Sequence, residues 1–241
     1  MQGIELKNIT LRLNGHPVLM NISEVIPKGS FYYLMGTAGS GKSAFLKVIN
    51  GLFMDIEGSV MVSGENIYKL SQKNMLEYHK KCSFVFQNSA LISNMTIFEN
   101  LSLYYFYHTS LNKNEILDKI NPYLDLFNID AEILQQRPYY LSTGQRMIFN
   151  IIRALLEDPE ILFWDEPLSN LDQIEKKKVK KIIKARHSAQ KTSILVTNDL
   201  DYGLSVADQV GVLHNGHLVT SEKPDNLLKS KNHVIKSLMN K

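Results

Sequence analysis

The chain has 241 residues, 44% of them hydrophobic, with 27 Lys and Arg against 24 Asp and Glu for a net charge of +3. That length allows one large core or two small ones. A charge so near neutral gives no ground for nucleic-acid binding, and no apolar run approaches the ~18 residues that span a bilayer. The single cysteine, Cys82, excludes an internal disulfide framework and suits a reducing compartment. It reads as a small buried side chain beside a core strand. Met1–Leu13 alternates in polarity as a strand does, without the basic start and apolar block of a secretory signal, so no signal peptide is expected there.

In chain order, strands are predicted near Ile4–Arg12 and Val18–Ile26, joined at Asn14-Gly15, a pair that favours a two-residue hairpin. Pro27-Lys28-Gly29 ends the second strand. Phe31–Met35 is then a short apolar strand running into Gly36-Thr37-Ala38-Gly39-Ser40-Gly41-Lys42-Ser43. This octet fits G-x-x-x-x-G-K-[ST], with a strand before it and a helix after it. Glycines 36, 39 and 41 let the backbone curl so that N–H groups face phosphate oxygens. The helix predicted from Ser43 to Leu52 adds the positive end of its dipole. Lys42 is expected to reach the β- and γ-phosphates of ATP, and Ser43 to ligate Mg²⁺.

A further strand is predicted at Gly58–Ser63 and another at Ser83–Phe86, stopping at Gln87. A neutral amide at that position is a candidate to touch Mg²⁺ or an attacking water and to report movement of the helical region beyond it. From 88 to 159 strand signals fade and helices are predicted at Asn94–Tyr107, Lys113–Phe127 and Gly144–Leu156. Within the first, Tyr104-Tyr-Phe-Tyr107 must point several ways. Some of these rings are expected to pack in the core and others to face outward in a purely structural role; the alternative is that the outward ones, with Phe86, Leu91 and Met95, line a groove for a partner's helix.

Core strands resume at Ile161–Trp164, Thr192–Thr197 and Gln209–His214, with helices near Gln173–Ser188 and Asp201–Val206. The basic run Lys176–Lys181 reads as a solvated helix face, with contact to anionic lipid headgroups as the alternative. His217–Ser221 closes a hairpin over Asn215-Gly216, and an amphipathic helix is expected from Lys223 onward. The first core strand of this group ends in Asp165-Glu166. Asp165 is expected to lie near the magnesium and Glu166 to polarise the attacking water. Strands alternating with helices imply an α/β fold with a mainly parallel sheet. The chain is expected to form one domain over 1–241. Its core comprises 1–87 and 160–222, a helical subdomain is inserted at 88–159, and the helical tail runs over 223–241.

In order and spacing these motifs resemble the nucleotide-binding subunits of ABC transporters over nearly the whole chain. Gly36–Ser43 resembles the Walker A motif and Gln87 the Q-loop. Leu141-Ser-Thr-Gly-Gln145 resembles the signature, Ile161–Glu166 the Walker B strand with its catalytic glutamate, and Ser169-Asn-Leu-Asp172 the D-loop. The resemblance implies a P-loop NTPase core of the RecA-like type with an N-terminal antiparallel β-subdomain. It also implies ATP and Mg²⁺ as cofactors and hydrolysis that energises transport. Two copies would form a head-to-tail homodimer, with ATP between the phosphate loop of one copy and Ser142 and Gly144 of the other. Further implications are integral membrane permease subunits docking on the helical subdomain, no nucleic-acid partner, and a peripheral place on the cytoplasmic face of the inner membrane. A narrower likeness at Phe86–Asn100, His108-Thr109 and Asn232–Leu238 is similar to the ATPases of Mce/Mla-type phospholipid transporters, and implies phospholipid as cargo. The alternatives are another imported or exported substrate, or a weakly hydrolysing regulatory module.

Three positions depart from the family pattern. Thr143 replaces the first glycine of the usual signature, so the tightness of that turn is expected to rest on Gly144. Asn198 stands where the family carries a histidine on the γ-phosphate, and it cannot become a cation. Slow or partner-dependent hydrolysis is the expected consequence. Leu13 occupies the place of an aromatic that stacks on adenine, leaving His16 as the nearest planar side chain and weak discrimination between ATP and GTP as the expectation.

Overall fold

A computed structural model describes residues 3–239. The start of the Met1–Leu13 stretch and the end of the 223–241 tail lie outside the described residues. Strands β1 (Ile4–Leu13) and β2 (His16–Ile26) form the expected hairpin. Asn14 and Gly15 both adopt positive φ, 51° and 79°, the geometry that lets a two-residue turn follow the strands' twist. The apolar alternation of β1 puts Ile4, Leu6, Ile9 and Leu11 into the core at 1% exposure or less. Helix α1 (Lys42–Ile49) follows strand β3 (Phe31–Gly36). Strands β4 (Glu57–Val62) and β5 (Glu65–Asn66) then complete a four-stranded antiparallel sheet in the order β2-β1-β4-β5.

The second sheet has six strands in the order β10-β9-β3-β8-β7-β6. It comprises β3, β6 (Cys82–Val85), β7 (Ile161–Asp165), β8 (Thr192–Val196), β9 (Gln209–His214) and β10 (His217–Glu222). All its pairings are parallel except the β9–β10 hairpin. Cys82 is buried on the edge strand, as its composition suggested. Ligands of open parallel sheets gather at the carboxyl ends of the strands, and the phosphate loop, Gln87, Asp165-Glu166 and Asn198 all follow such ends.

Helix α2 (Gln72–Lys80) lies between β5 and β6 and has no counterpart among the predicted elements. Its pattern is too polar to signal burial: only Tyr78 is buried, its hydroxyl donating to Ile49 O at 2.9 Å. Between β6 and β7 come α3 (Ile97–His108), α4 (Lys113–Phe127) and α5 (Thr143–Leu155). Helix α3 begins at Ile97 rather than Asn94 because Thr96 and Glu99 form a reciprocal capping box, which satisfies two otherwise orphaned donors. Tyr105 points inward, donating to Leu156 O, whereas Phe106 and Tyr107 face outward. Helices α6 (Gln173–Ser188) and α7 (Leu200–Val206) follow the predicted pattern. The tail is not one helix but two, α8 (Pro224–Leu228) and α9 (His233–Met239). Leu227, Ile235 and Leu238 pin them to the core, each such burial worth about 1.5–3 kcal/mol.

Candidate functional site

Strand β3 delivers the chain to the centre of the parallel sheet, where residues 36–41 turn back into α1. Gly41 is the residue before the helix, at φ 104°, and a Cβ there would lie 2.9 Å from Val18 O. No L side chain fits that conformation or that space. Gly36 is glycine for another reason than the expected curl: its φ is ordinary, but a Cβ would lie 2.2 Å from Leu213 O on β9. Lys42 Nζ donates to Gly36 O and Thr37 O, both at 2.9 Å, so the ammonium sits inside the loop. Burial pulls its pKa down while Glu166 and Asp165 oppose the shift. The Ser40 hydroxyl is buried and makes no hydrogen bond to the described residues.

Opposite the loop, Ser43 Oγ donates to Asp165 Oδ1 at 3.0 Å, and both carboxylates are buried, Asp165 at 3% and Glu166 at 8% exposure. Glu166 takes a left-handed φ of 52°, its N–H donates to Val196 O at 2.9 Å, and its Oε2 accepts from Asn198 N–H at 3.1 Å. Burial raises the pKa of each carboxyl above its ordinary value. Ala38–Ala44, Gln87, Asp165, Glu166, Val196 and Asn198 line one cavity of about 350 Å³. Hydroxyl, carboxylate and amide oxygens are the hard donors that Mg²⁺ prefers. No group of three His, Cys, Asp or Glu able to hold a metal occurs among the described residues. The Ser43 hydroxyl, Asp165 carboxylate and Gln87 amide at this cavity fit an ion that takes its remaining ligands from water and nucleotide phosphates. The sequence-derived residues Lys42, Ser43, Gln87, Asp165 and Glu166 thus meet in one place.

Asn198 meets them differently from the expectation. Its side chain is exposed, and its contact with Glu166 runs through the backbone N–H, which any residue but proline supplies. Replacing Asn198 with alanine should leave that contact in place. Asn198→His should accelerate phosphate release, by as much as ~10²-fold. Equal rates for wild type and Asn198→His would show that the backbone contact suffices.

Ser142, Thr143 and Gly144 do not line the cavity. They form the start of α5: Ser142 is the N-cap, its Oγ accepting from Gln145 N–H at 3.1 Å while Gln145 Oε1 accepts from Ser142 N–H at 3.0 Å. This N-terminus carries free N–H groups and a dipole that favour an anion, and Ser142 and Thr143 are exposed. The expectation of a tight turn resting on Gly144 is corrected. Gly144 is helical and buried, and it is glycine because a Cβ would lie 2.7 Å from Asn170 O. The segment 169–172 thus joins the two halves: Ser169 donates from N–H and Oγ to Glu166 O, Asn170 covers Gly144, and Asp172 caps α6.

Gln87 borders both the phosphate cavity and a smaller depression lined by Thr143, Arg146, Met147 and Asn170. Two residues that sequence reasoning missed hold this junction. Asn150 Nδ2 donates to Phe86 O at 2.8 Å, and the Arg153 guanidinium donates to Ala90 O and Ser89 O. Ser89 and Ala90 both sit at positive φ, so Arg153 clamps an otherwise unfavourable turn. A polar Asn on the buried stripe of an apolar helix was the available signal. Beside this turn, Phe86, Tyr104, Tyr107 and neighbours line a groove of about 810 Å³. Of the groove residues expected from the sequence, Phe86 lines it, and Leu91 and Met95 do not.

The fold and the cavity define a P-loop nucleotide-binding protein. A family model described as ABC transporter matches residues 19–169. The histidine/lysine/arginine/ornithine transport ATP-binding protein HisP of Salmonella typhimurium is 32% identical over 224 residues, covering 89% of this chain and 87% of that protein. The sulfate/thiosulfate import ATP-binding protein CysA of Mesostigma viride is 32% identical over 228 residues. That match covers 93% of this chain, which spans only 63% of the CysA length. Among solved structures, the dimeric ATP-binding cassette MJ0796 in a post-hydrolysis state bound to ADP and Pi superposes with a TM-score of 0.83. It is 27% identical and covers 92% of this chain and 98% of that one. The chain belongs to the ABC transporter family, as one of its ATPase cassettes.

Proposed function

We propose that this cassette hydrolyses ATP to ADP and phosphate as one of two copies arranged head to tail, and that the cycle energises transport through membrane-spanning partners. The observation that carries the reading is the division of the site. Lys42, Ser43, Asp165 and Glu166 face one cavity, whereas the exposed helix N-terminus at Ser142 lies outside it. A second copy brings the missing anion site to the nucleotide.

In this reading Ser43 and Asp165 hold Mg²⁺ together with nucleotide phosphates. When bound, the ion neutralises charge that develops on the transferred phosphoryl group. Lys42 leaves its two loop carbonyls for the β- and γ-phosphates, and Gln87 and Glu166 position the attacking water. Glu166, whose proton affinity burial raises, takes up the proton that the water releases. Segments 1–87 and 160–222 bind nucleotide, and segment 88–159 transmits the change. The groove beside Phe86 and Tyr107 receives a short helix from the membrane partner, and the Arg153-clamped turn next to Gln87 links the groove to the cavity.

For cargo, the likeness of Phe86–Asn100 and His108-Thr109 to phospholipid-transporter ATPases supports phospholipid. The names of the relatives support a small imported solute such as sulfate, methionine or a basic amino acid. Location follows the partner: a peripheral protein on the cytoplasmic face of the inner membrane. The test is to recover the tagged chain with its membrane complex, identify the bound lipid, and compare phosphate release by isolated and complexed protein. Faster hydrolysis in the complex is the expected result. Failure of the chain to associate with any membrane-spanning subunit would contradict the reading.

A further inference from the structure

A purine base held in water-accessible surroundings gains most from a flat aromatic neighbour. The cavity that brings the phosphate loop to Asp165 and Glu166 has no aromatic side chain in its lining. The β1–β2 hairpin, which borders the loop through Val18, offers only Leu13 and the imidazole of His16 near its turn. Besides Phe106 and Tyr107 on α3, two further large rings are left in solvent: Tyr139 is 82% and Tyr140 74% exposed.

These two residues belong to a single 3₁₀ turn, Pro138–Tyr140, that runs through Leu141 directly into Ser142, the N-cap of α5. Their base is rigid, since Pro138 and Leu141 on either side are buried. The rings meet edge to face, with centroids 5.5 Å apart and planes at 81°. Neither hydroxyl makes a hydrogen bond to the described residues, and neither ring lines the groove assigned to the membrane partner. Nothing among the described residues explains a paired aromatic surface at this position. Only Leu141 separates Tyr140 from Ser142, so the rings start within ~7 Å of backbone from the proposed phosphate-facing helix end.

The geometry points to an adenine-stacking surface supplied in trans: Tyr139 and Tyr140 of one copy cover the base of the ATP held by the phosphate loop of the other. The inference rests on the head-to-tail arrangement proposed above. When Ser142 approaches the terminal phosphates, the base at the far end of the nucleotide meets the segment that leads into Ser142. Stacking reads no hydrogen-bonding edge, so ATP and GTP should drive assembly about equally. The base then contributes to joining the two copies more than to binding one copy alone.

The test uses the Glu166→Gln chain with ATP and Mg²⁺, and follows dimerisation by light scattering with and without Tyr139→Ala and Tyr140→Ala together. The expected result is a half-point for ATP-driven dimerisation raised about 5- to 150-fold. ATP binding by dilute monomer should be unchanged, and the paired phenylalanine variant should behave as the parent. A second measurement mixes an epitope-tagged Lys42→Ala chain with an untagged chain able to bind ATP, and irradiates them with 8-azido-ATP. Label on Tyr139 or Tyr140 of the tagged chain is expected. An unmoved half-point in a parent that does dimerise, or label confined to His16 of the untagged chain, overturns the trans stack and leaves the head-to-tail reading standing. A parent that does not dimerise with ATP overturns both.

Discussion

Glu166→Gln is expected to lower phosphate release by about 10²–10⁴-fold, the usual contribution of a positioned general base, while leaving nucleotide binding intact. The amide keeps the carboxylate's shape and one acceptor oxygen, so it can still accept from Asn198 N–H. It cannot take a proton from water. The same substitution should raise the melting temperature of the nucleotide-free protein at neutral pH. Burial raises the pKa of Glu166 above the ordinary 4.5, so the folded chain holds that proton more tightly than the unfolded chain. A carboxyl of this kind contributes stability below its unfolded pKa and loses it as pH rises through the folded value. At pH 7 it is therefore a net cost, which glutamine removes. Thermal melts across pH 4–8 should show a shallower loss of stability with rising pH in the variant. A melting temperature unchanged at every pH would contradict the buried-charge argument, and retained hydrolysis would remove Glu166 as the base.

The second large effect is expected from Gly144→Ala, a change that improves helix propensity by about 1 kcal/mol in an open helix. Here the added methyl would lie 2.7 Å from Asn170 O, closer than any real contact of its kind. The neighbour is backbone at a left-handed residue, φ 62°, so it cannot yield as a flexible side chain does. Forcing it aside should cost about 1–3 kcal/mol. The displaced segment carries Ser169, whose two hydrogen bonds hold Glu166 O. Hydrolysis should therefore fall at least as steeply as stability, although Gly144 touches none of the residues lining the phosphate cavity. Thr143→Gly makes the informative contrast. Thr143 is exposed at the first position of α5, and its loss should cost only about 0.5–1 kcal/mol of helix stability. Chemical denaturation and phosphate release on both variants separate the two cases. Equal, small effects would show that the Gly144–Asn170 contact has no consequence.

Much of this arrangement was legible because the signals were local. A strand, a glycine-rich turn and Lys42-Ser43 fix the phosphate loop within a dozen residues, and an apolar strand ending in Asp165-Glu166 fixes its counterpart. The N-terminal hairpin follows from Asn14-Gly15 and the alternation of β1. The features that escaped were set by contacts between distant segments. Helix α2 buries only Tyr78 and so carries no apolar stripe. The reason for Gly144 lies in Asn170, and the role of Arg153 lies in carbonyls about sixty residues upstream. Asn198 shows the same limit in reverse. Its side-chain chemistry drew attention, yet the contact it makes with Glu166 belongs to its backbone.

In the proposed arrangement one chain carries only half of each working site. Phosphate release per chain, measured over a wide range of protein concentration at saturating ATP and Mg²⁺, tests it most directly. The rate per chain is expected to rise with concentration and then reach a plateau, because the proposed head-to-tail arrangement needs Ser142 of a second copy for hydrolysis. A rate per chain that stays constant down to the most dilute sample would contradict it.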